Sequence, residues 1–252
     1  MQQSEAVSMG IHEKLERFIE RIFFGGRRTK ASEYLTYVTG NLVLMVLIFF
    51  VILNNIGYDW TGRLYPPGSG YRLDFLTGGL ENGIPLVPEF VIFYVYLFYP
   101  LAVVTMVFFG LVEYRRGYAL GWSLVAINAI ALSVYVVFPV STYWWRQEFL
   151  ADPMPGFWAE QVYAIWGRDT SFNCFPSLHA AVSTICAYAW HRYRRAKPGR
   201  ATRAVEAAAV FIAAGVVLST LFVKQHYIAD EVAGVVLALL VGKPLFDRLW
   251  SD

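Results

Sequence analysis

The chain alternates between long apolar runs and short polar segments, and the lengths of the apolar runs predict a helical bundle in a membrane. A helix rises about 1.5 Å per residue, so roughly 20 apolar residues cross the hydrocarbon core. Six runs reach or approach this length: 34–54, 90–112, 119–140, 176–190, 204–223 and 228–249. The predicted fold class is therefore all-α, an integral membrane bundle of six transmembrane helices.

The segment IHEKLERFIERIFF, which precedes the first span, has the spacing of apolar residues that is typical of an amphipathic helix. Such a helix lies on the cytoplasmic surface of the membrane as an interfacial helix, or it packs against the bundle. We find no internal repeat in the chain. We therefore predict an N-terminal cytoplasmic segment over residues 1–30 and one six-span membrane domain over residues 31–252.

The composition agrees with a membrane protein. Of the 252 residues, 57% are hydrophobic and 17% are aromatic, and the mean hydropathy is +0.44. The net charge of +2 is too small to indicate nucleic acid as a partner. Cys174 and Cys186 are expected on one helix about 18 Å apart, which is too far for a disulfide between them. The expected partner is the bilayer.

The positions of the basic residues predict the orientation in the membrane. Sixteen of the 21 lysines and arginines lie on the side of both termini, and five lie on the other side. Because basic residues concentrate in cytoplasmic loops, both termini are predicted to be cytoplasmic. The five outward basic residues are Arg63, Arg72, Arg146, Arg168 and Lys224. The outward loops, 55–89 and 141–175, are then placed to cap a site or to bind lipid headgroups.

Two of the four histidines, His179 and His226, fall at the outward ends of predicted helices. Pro176 is expected in the first turn of the fourth span, which leaves the backbone N–H groups near Ser177 and His179 unpaired. Unpaired N–H groups and the positive end of the helix dipole attract anions. Two such helix starts that face each other would suit a phosphate.

The stretch KQHYIADEVAG places His226 and Asp230 four residues apart, so on a helix the carboxylate lies beside one ring nitrogen. The other nitrogen is then free to attack or to take a proton. An alternative is that each histidine merely bridges helices and that Asp230 and Glu231 end a span. A zinc site made by His179, His226 and Asp230 is a further alternative, but no second close-spaced ligand pair is present. We predict no metal and no cofactor.

At these residues the chain resembles the type-2 phosphatidic acid phosphatase superfamily, six-span enzymes that act on lipid phosphates without metal. The family motif P-S-G-H appears as Pro176, Ser177, Leu178 and His179, and the motif S-R-x-x-x-x-x-H-x-x-x-D appears as Ser219, Thr220, His226 and Asp230. Thr220 replaces the motif arginine, and the first motif, K-x-x-x-x-x-x-R-P, is absent. The form P-S-L-H and the segment IPLVPEFVIFY are more similar to the branch that includes inositol phosphorylceramide synthase.

The resemblance implies a role for each motif residue. His226 would be the nucleophile that forms a phosphohistidine, Asp230 would orient it, and His179 would protonate the leaving group. Ser177 and nearby backbone N–H groups would hold phosphoryl oxygens. Lys224 and Arg146 are the outward cations best placed to replace the missing motif cations.

The sequence thus predicts a metal-independent membrane enzyme that hydrolyses or transfers a phosphoryl group on a lipid phosphate at the outer leaflet. The acceptor is water or, as in the synthase branch, an alcohol. Two other classes stay open: an inactive membrane scaffold with the same fold, and a transporter. Acidic residues are nearly absent from the interiors of the spans, which disfavours the transporter.

Overall fold

The computed structural model describes residues 11–48 and 57–250, and within these residues the chain forms helices and loops without a β-strand. The α-helices, in chain order, are α1 (Ile11–Phe23), α2 (Lys30–Val46), α3 (Tyr58–Gly62), α4 (Phe98–Val107), α5 (Tyr114–Val137), α6 (Tyr143–Ala151), α7 (Phe157–Arg168), α8 (Leu178–Ala196), α9 (Arg200–Phe222), α10 (Ile228–Leu237) and α11 (Lys243–Leu249). The predicted all-α class is confirmed.

Within residues 11–48 and 57–250, three helical segments are long and apolar enough to cross a membrane: Pro88–Val112, Tyr114–Val137 and Arg200–Phe222. They correspond to the second, third and fifth predicted spans. The first predicted span, 34–54, runs beyond residue 48 and so lies partly outside the described residues. The count of six spans stays a prediction.

Wide π-helical turns interrupt two of the long helices. They cover Ile92–Leu97 and Phe108–Val112 on either side of α4, and Ala238–Gly242 between α10 and α11. A π-helical turn shifts the helical register by about one residue, so it redirects the side chains that it carries. The turn at Ile92–Leu97 carries Tyr94, whose ring contacts that of His179.

Helix α8 is the central element of the bundle, because it packs against α4, α5, α9 and α10. Its first turns carry small residues such as Ala180, Ala181 and Ser183, all fully buried, which let neighbouring helices approach closely. Ser177 is the N-cap, and its hydroxyl oxygen accepts a hydrogen bond from Ala180 N at 3.2 Å. Pro176 therefore precedes the cap. The prediction that Pro176 lies in the first turn of the helix is wrong.

The bounds of α8 correct two further expectations. Cys174 lies in the loop before α8, and only Cys186 lies on the helix. Both cysteines are free and buried. Helix α8 also continues past the predicted end of its span at residue 190, through a basic last turn to Ala196.

A glycine allows the start of α10 to touch the start of α8. A Cβ atom added at Gly234 would lie 2.3 Å from the carbonyl oxygen of Ser177 and 2.9 Å from Cβ of Ala180. The close approach lets Ser177 N–H donate to the carbonyl of Asp230 at 3.0 Å. The predicted unpaired N–H of Ser177 is thus wrong, because the neighbouring helix supplies its acceptor.

The two loops predicted to face outward fold around residues 223–227, the turn between α9 and α10. Trp166 donates its indole N–H to the carbonyl of Val223 at 3.1 Å, and the Tyr227 hydroxyl donates to the carbonyl of Ser141 at 2.8 Å. The loop 141–175 contains helices α6 and α7 rather than irregular chain. These contacts hold the turn that carries His226.

Helix α1 covers the segment for which the sequence predicted an amphipathic helix. Ile19 is buried, whereas Phe18, Ile22 and Phe23 are exposed. The helix contacts α2, and His12 lies 3.2 Å from the hydroxyl of Tyr118 on α5. The position of α1 on a membrane surface stays a prediction, as does the division of the chain at residue 30.

Candidate active site

The fold brings together the two histidines that the sequence singled out. The ring of His179, in the first turn of α8, lies with its centroid 5.8 Å from that of His226, in the turn before α10, at an angle of 65°. His226 is 4% exposed, and His179 is partly buried.

The predicted contact between His226 and Asp230 is present, but it forms in a different way. Nδ1 of His226 lies 3.3 Å from Oδ2 of Asp230. His226 precedes the helix, which begins at Ile228, so the pair does not arise from helical spacing. The Asp230 side chain instead turns back over the helix start, where the same oxygen accepts the N–H of Tyr227 at 2.8 Å.

The charge on His226 is governed by nearby carboxylates. The residue lies between Arg200–Phe222 and the start of α10, outside these helices. Burial lowers the pKa of His226, but the hydrogen bond with Asp230 and the charges of Glu231, Asp230 and Asp169 outweigh it, so the pKa is raised above 6.5.

Glu231 is a residue that the sequence reasoning missed as part of the site. Its Oε1 lies 3.9 Å from Nδ1 of His226, and the side chain is buried. Within the part of the chain that the structure describes, neither carboxylate oxygen has a well-aligned hydrogen-bond donor, although the side-chain hydroxyls of Ser177 and Thr220 are its polar neighbours. The sequence offered one signal, a second carboxylate next to Asp230 in the first turn of a helix.

Aromatic rings enclose His179, and these too were missed. The Tyr94 ring stacks on the imidazole at 4.4 Å between centroids, and the Phe98 ring lies at 4.6 Å. Both come from the Pro88–Val112 helix, Tyr94 from its π-helical turn. The two rings fix the imidazole from its faces and keep water away from them.

Arg146, a predicted phosphate ligand, lies beside the turn that carries His226. It is 2% exposed and donates to the carbonyl and to Oδ2 of Asp169 at 2.9 and 2.8 Å. It also donates to the side-chain oxygen of Gln225, the residue before His226. Arg146 is therefore close to the site but already paired.

Lys224, the other predicted ligand, points away from solvent into the outward loops. Its ammonium group donates to the carbonyls of Glu81, at 3.1 Å, and Ile84, and it lies 5.1 Å from the centroid of the Trp145 ring. Burial lowers the pKa of Lys224, while the charges of Glu148 and Glu81 act in the opposite direction. Its left-handed backbone, with φ of 55°, ends α9.

The other three basic residues predicted to face outward lie on the surface. Arg63 pairs with Asp59 at 2.9 Å, and Arg72 pairs with Asp74 at 2.6 Å. Arg168 is exposed at the end of α7. Of the five, Arg146 and Lys224 are buried: Lys224 lies in the turn at residues 223–227, and Arg146 lies beside that turn.

A possible metal-ligand group also lies at the site. Among the described residues, donor atoms of Cys174, His226 and Asp230 lie within 4.8 Å of one another. Cys174 thus takes the place that the zinc alternative gave to His179. Burial raises the pKa of the Cys174 thiol and so disfavours the thiolate that binds zinc. The group keeps the zinc alternative open to test.

These features define the class: a helical protein with apolar helices of membrane-spanning length and a buried site of two histidines and carboxylates. A sequence model of the PAP2 superfamily matches residues 81–242, more than half of the chain, including both histidines and Asp230. The chain belongs to the PAP2 superfamily. No curated protein and no solved structure matches it. Membership suggests phosphatase or phosphotransferase activity on phosphate esters.

Proposed function

We propose that the protein is an integral membrane enzyme that hydrolyses or transfers the phosphoryl group of a lipid phosphate through a phosphohistidine at His226. The observation that carries the proposal is the arrangement of the two imidazoles, 5.8 Å apart, with a carboxylate 3.3 Å from Nδ1 of His226. A carboxylate on one ring nitrogen favours the tautomer whose other nitrogen can attack phosphorus.

In the first step, Nε2 of His226 attacks phosphorus, and the bond between phosphorus and the ester oxygen breaks. The departing oxygen keeps the electron pair and takes a proton from His179. The negative charge of the bound phosphate favours the protonated His179 ring that this step requires. Proton transfer from a well-placed histidine contributes about 10² to 10⁴ in rate.

In the second step, water or an alcohol attacks the phosphohistidine. His179, now neutral, takes the proton of the attacking hydroxyl, and the bond between Nε2 and phosphorus breaks. The two acceptors share this chemistry up to the intermediate. Transfer to an alcohol, as in the branch with inositol phosphorylceramide synthase, is supported by the resemblance of the P-S-L-H motif and of the segment IPLVPEFVIFY to that branch.

Phosphate binding is assigned to Ser177, Arg146 and Lys224. Ser177 is fully buried at the start of α8, next to Asp230 of the neighbouring helix. Arg146 reaches the site through its hydrogen bond to Gln225. Both cations have protein partners in this state. The phosphate of the substrate must therefore displace those partners, or the cations must attract it at a distance through the low-dielectric interior.

The lipid nature of the substrate is supported by the three apolar helices of spanning length, and the basic residues favour a site on the outer side of the membrane. No metal takes part in either step of this mechanism. The inactive-scaffold alternative is less favoured because both histidines and Asp230 are retained and in contact.

The test is a turnover assay on purified protein in lipid nanodiscs with a panel of lipid phosphates, each with and without a lipid alcohol. We expect release of inorganic phosphate or formation of a new phosphate monoester of the added alcohol. Absence of both products across the panel would support the inactive scaffold. Appearance of the phosphate monoester of the added alcohol in preference to free phosphate would assign the alcohol as acceptor.

A further inference from the structure

Two carboxylates face the same nitrogen of His226. Oδ2 of Asp230 lies 3.3 Å from Nδ1, and Oε1 of Glu231 lies 3.9 Å from it. They come from successive residues of the first turn of α10. The mechanism described so far uses only Asp230.

The two carboxylates differ in how they are held. The Asp230 oxygen that contacts His226 also accepts the N–H of Tyr227 at 2.8 Å, which fixes the side chain in the helix cap. Among the described residues, both oxygens of Glu231 are buried without a well-aligned hydrogen-bond donor, and the hydroxyls of Ser177 and Thr220 are its polar neighbours. A buried, unpaired carboxylate costs stability, because it has lost water and gained no donor. Its charge is not shared with any backbone group.

A carboxylate in this position has its largest effect on a positively charged ring. When Nε2 of His226 forms a bond to phosphorus and Nδ1 keeps its proton, the ring gains one positive charge. The other ionisable groups around the ring are Asp230, Asp169, His179 and Cys174. Asp169 is already paired with Arg146 at 2.8 Å. Glu231 is thus the second carboxylate beside the ring, and among the described residues its one ion-pair partner is His226.

We infer that Glu231 is a positioning residue that stabilises the cationic ring of the phosphorylated His226, while Asp230 sets the orientation of that ring. The inference rests on the proposed phosphohistidine mechanism. Glu231 acts through His226 and has no contact with the substrate in this account. Its function is to stabilise the phosphohistidine intermediate, so that a larger fraction of the protein is phosphorylated when an acceptor arrives.

The test compares Glu231→Gln with the wild type and with Glu160→Gln, a control that removes the same charge from an exposed site on α7. Two properties are measured in nanodiscs: the steady-state fraction of phosphorylated protein, and the pH dependence of kcat/KM. We expect the phosphorylated fraction to fall about tenfold, because a nearby opposite charge shifts a titrating ring by about one pKa unit or more.

The pH profile should change in a direction that simple loss of structure does not produce. His226 attacks only when neutral, so kcat/KM falls as the pH drops below the raised pKa of His226. Removal of the Glu231 charge lowers this pKa, so the acid limb should move to lower pH. Glu160→Gln should leave both properties unchanged, and Glu231→Asp, which keeps the charge, should restore part of both.

A wild-type level of phosphorylated protein and an unmoved acid limb in Glu231→Gln would overturn the inference and leave the proposed function intact. Turnover by the wild type without any phosphorylated protein would overturn both. If Glu231→Gln does not fold, Glu231→Asp decides: a profile identical to wild type in that variant, with its shorter reach, overturns the role assigned to Glu231.

Discussion

The two ends of α8 carry the same residue types in opposite settings. At the C-terminal end, Nδ1 of His191 lies 2.6 Å from Glu206 of α9, and Arg194 pairs with the same carboxylate. At the N-terminal end, His179 lies between aromatic rings, and the carboxylate of Glu231 has no hydrogen bond. One end compensates its charges, and the other does not.

The same contrast holds for neighbouring groups. Near the C-terminal end of α8, Asp247 receives a hydrogen bond from Tyr188 at 2.6 Å and ion pairs from Lys243 and Arg192 at 2.8 and 3.2 Å. These groups are partly exposed, and screening by solvent makes such surface pairs weak. Buried groups without partners instead cost stability and are typical of functional sites. One end of α8 thus carries paired charges at the surface, and the other end carries the buried groups of the candidate site.

The largest difference between the two ends of α8 is expected when each histidine is replaced by alanine in turn. His226→Ala should lower kcat by about 10⁴-fold or more, because the nucleophile is lost. His191→Ala removes an imidazole at the opposite end and should keep nearly full activity. Turnover of a lipid phosphate measures both. Equal activity in the two variants would place the chemistry elsewhere.

His179→Ala should show a loss that depends on the leaving group. Cleavage of an alkyl lipid phosphate should fall by about 10² to 10⁴, because its alkoxide needs a proton. Cleavage of a nitrophenyl phosphate should fall far less, because nitrophenolate leaves without one. The ratio of kcat/KM for the two esters is the measurement. An equal loss for both would reject His179 as the general acid.

The buried cations should matter more than the exposed ones. Arg146→Met or Lys224→Met should lower kcat/KM by about 10- to 100-fold, the value of a charged hydrogen bond to phosphate of about 1.5–3 kcal/mol. Arg63→Met, which removes an exposed cation paired with Asp59, should change it little. Full activity in both buried-site variants would assign the phosphate to hydroxyl and backbone donors.

Gly234→Ala tests the close approach that assembles the site. The added methyl would meet the Ser177 carbonyl at 2.3 Å, so α10 must move away from α8. We expect a loss of about 1–3 kcal/mol in the free energy of unfolding, with reduced activity. Gly167→Ala, in α7 with no atom within 4 Å of the added Cβ, is the control. Thermal unfolding in detergent reports the stability of both.

The smallest expected effect is that of chelation. Activity should survive treatment with EDTA and with a zinc-selective chelator, since the proposed steps use only side chains of the chain itself. Activity that is lost on chelation and returns with one metal would favour a metal held by Cys174, His226 and Asp230. Cys174→Ser would then weaken the recovery.

The part of the site that the sequence predicted is the part fixed by short spacing. His226 and Asp230 are four residues apart, and their contact is present. The sequence also places His179 and His226 at the outward ends of predicted spans, on the same side of the membrane, where the two residues can meet. Helix starts were less well predicted: the apolar run suggested a start at Pro176, whereas the Ser177 cap sets it at Leu178.

The missed residues depend on tertiary packing. Tyr94 and Phe98 lie in an apolar run whose pattern does not reveal the π-helical turn that aims Tyr94 at His179. In the sequence, Glu231 enters only the alternative in which Asp230 and Glu231 end a span, whereas the close approach of α10 to α8 accompanies its buried position beside His226. Side chains brought together across helices leave no periodic signal in the sequence.

The proposed phosphohistidine at His226 is tested most directly by locating the phosphoryl group on the protein. Purified protein is incubated with a lipid [³²P]phosphate, quenched in denaturant at high pH, digested and sequenced by mass spectrometry. We predict a base-stable, acid-labile phosphoryl group on His226, present in His191→Ala and absent in His226→Ala. A phosphoryl group on any other residue, or continued turnover in His226→Ala, would contradict the account.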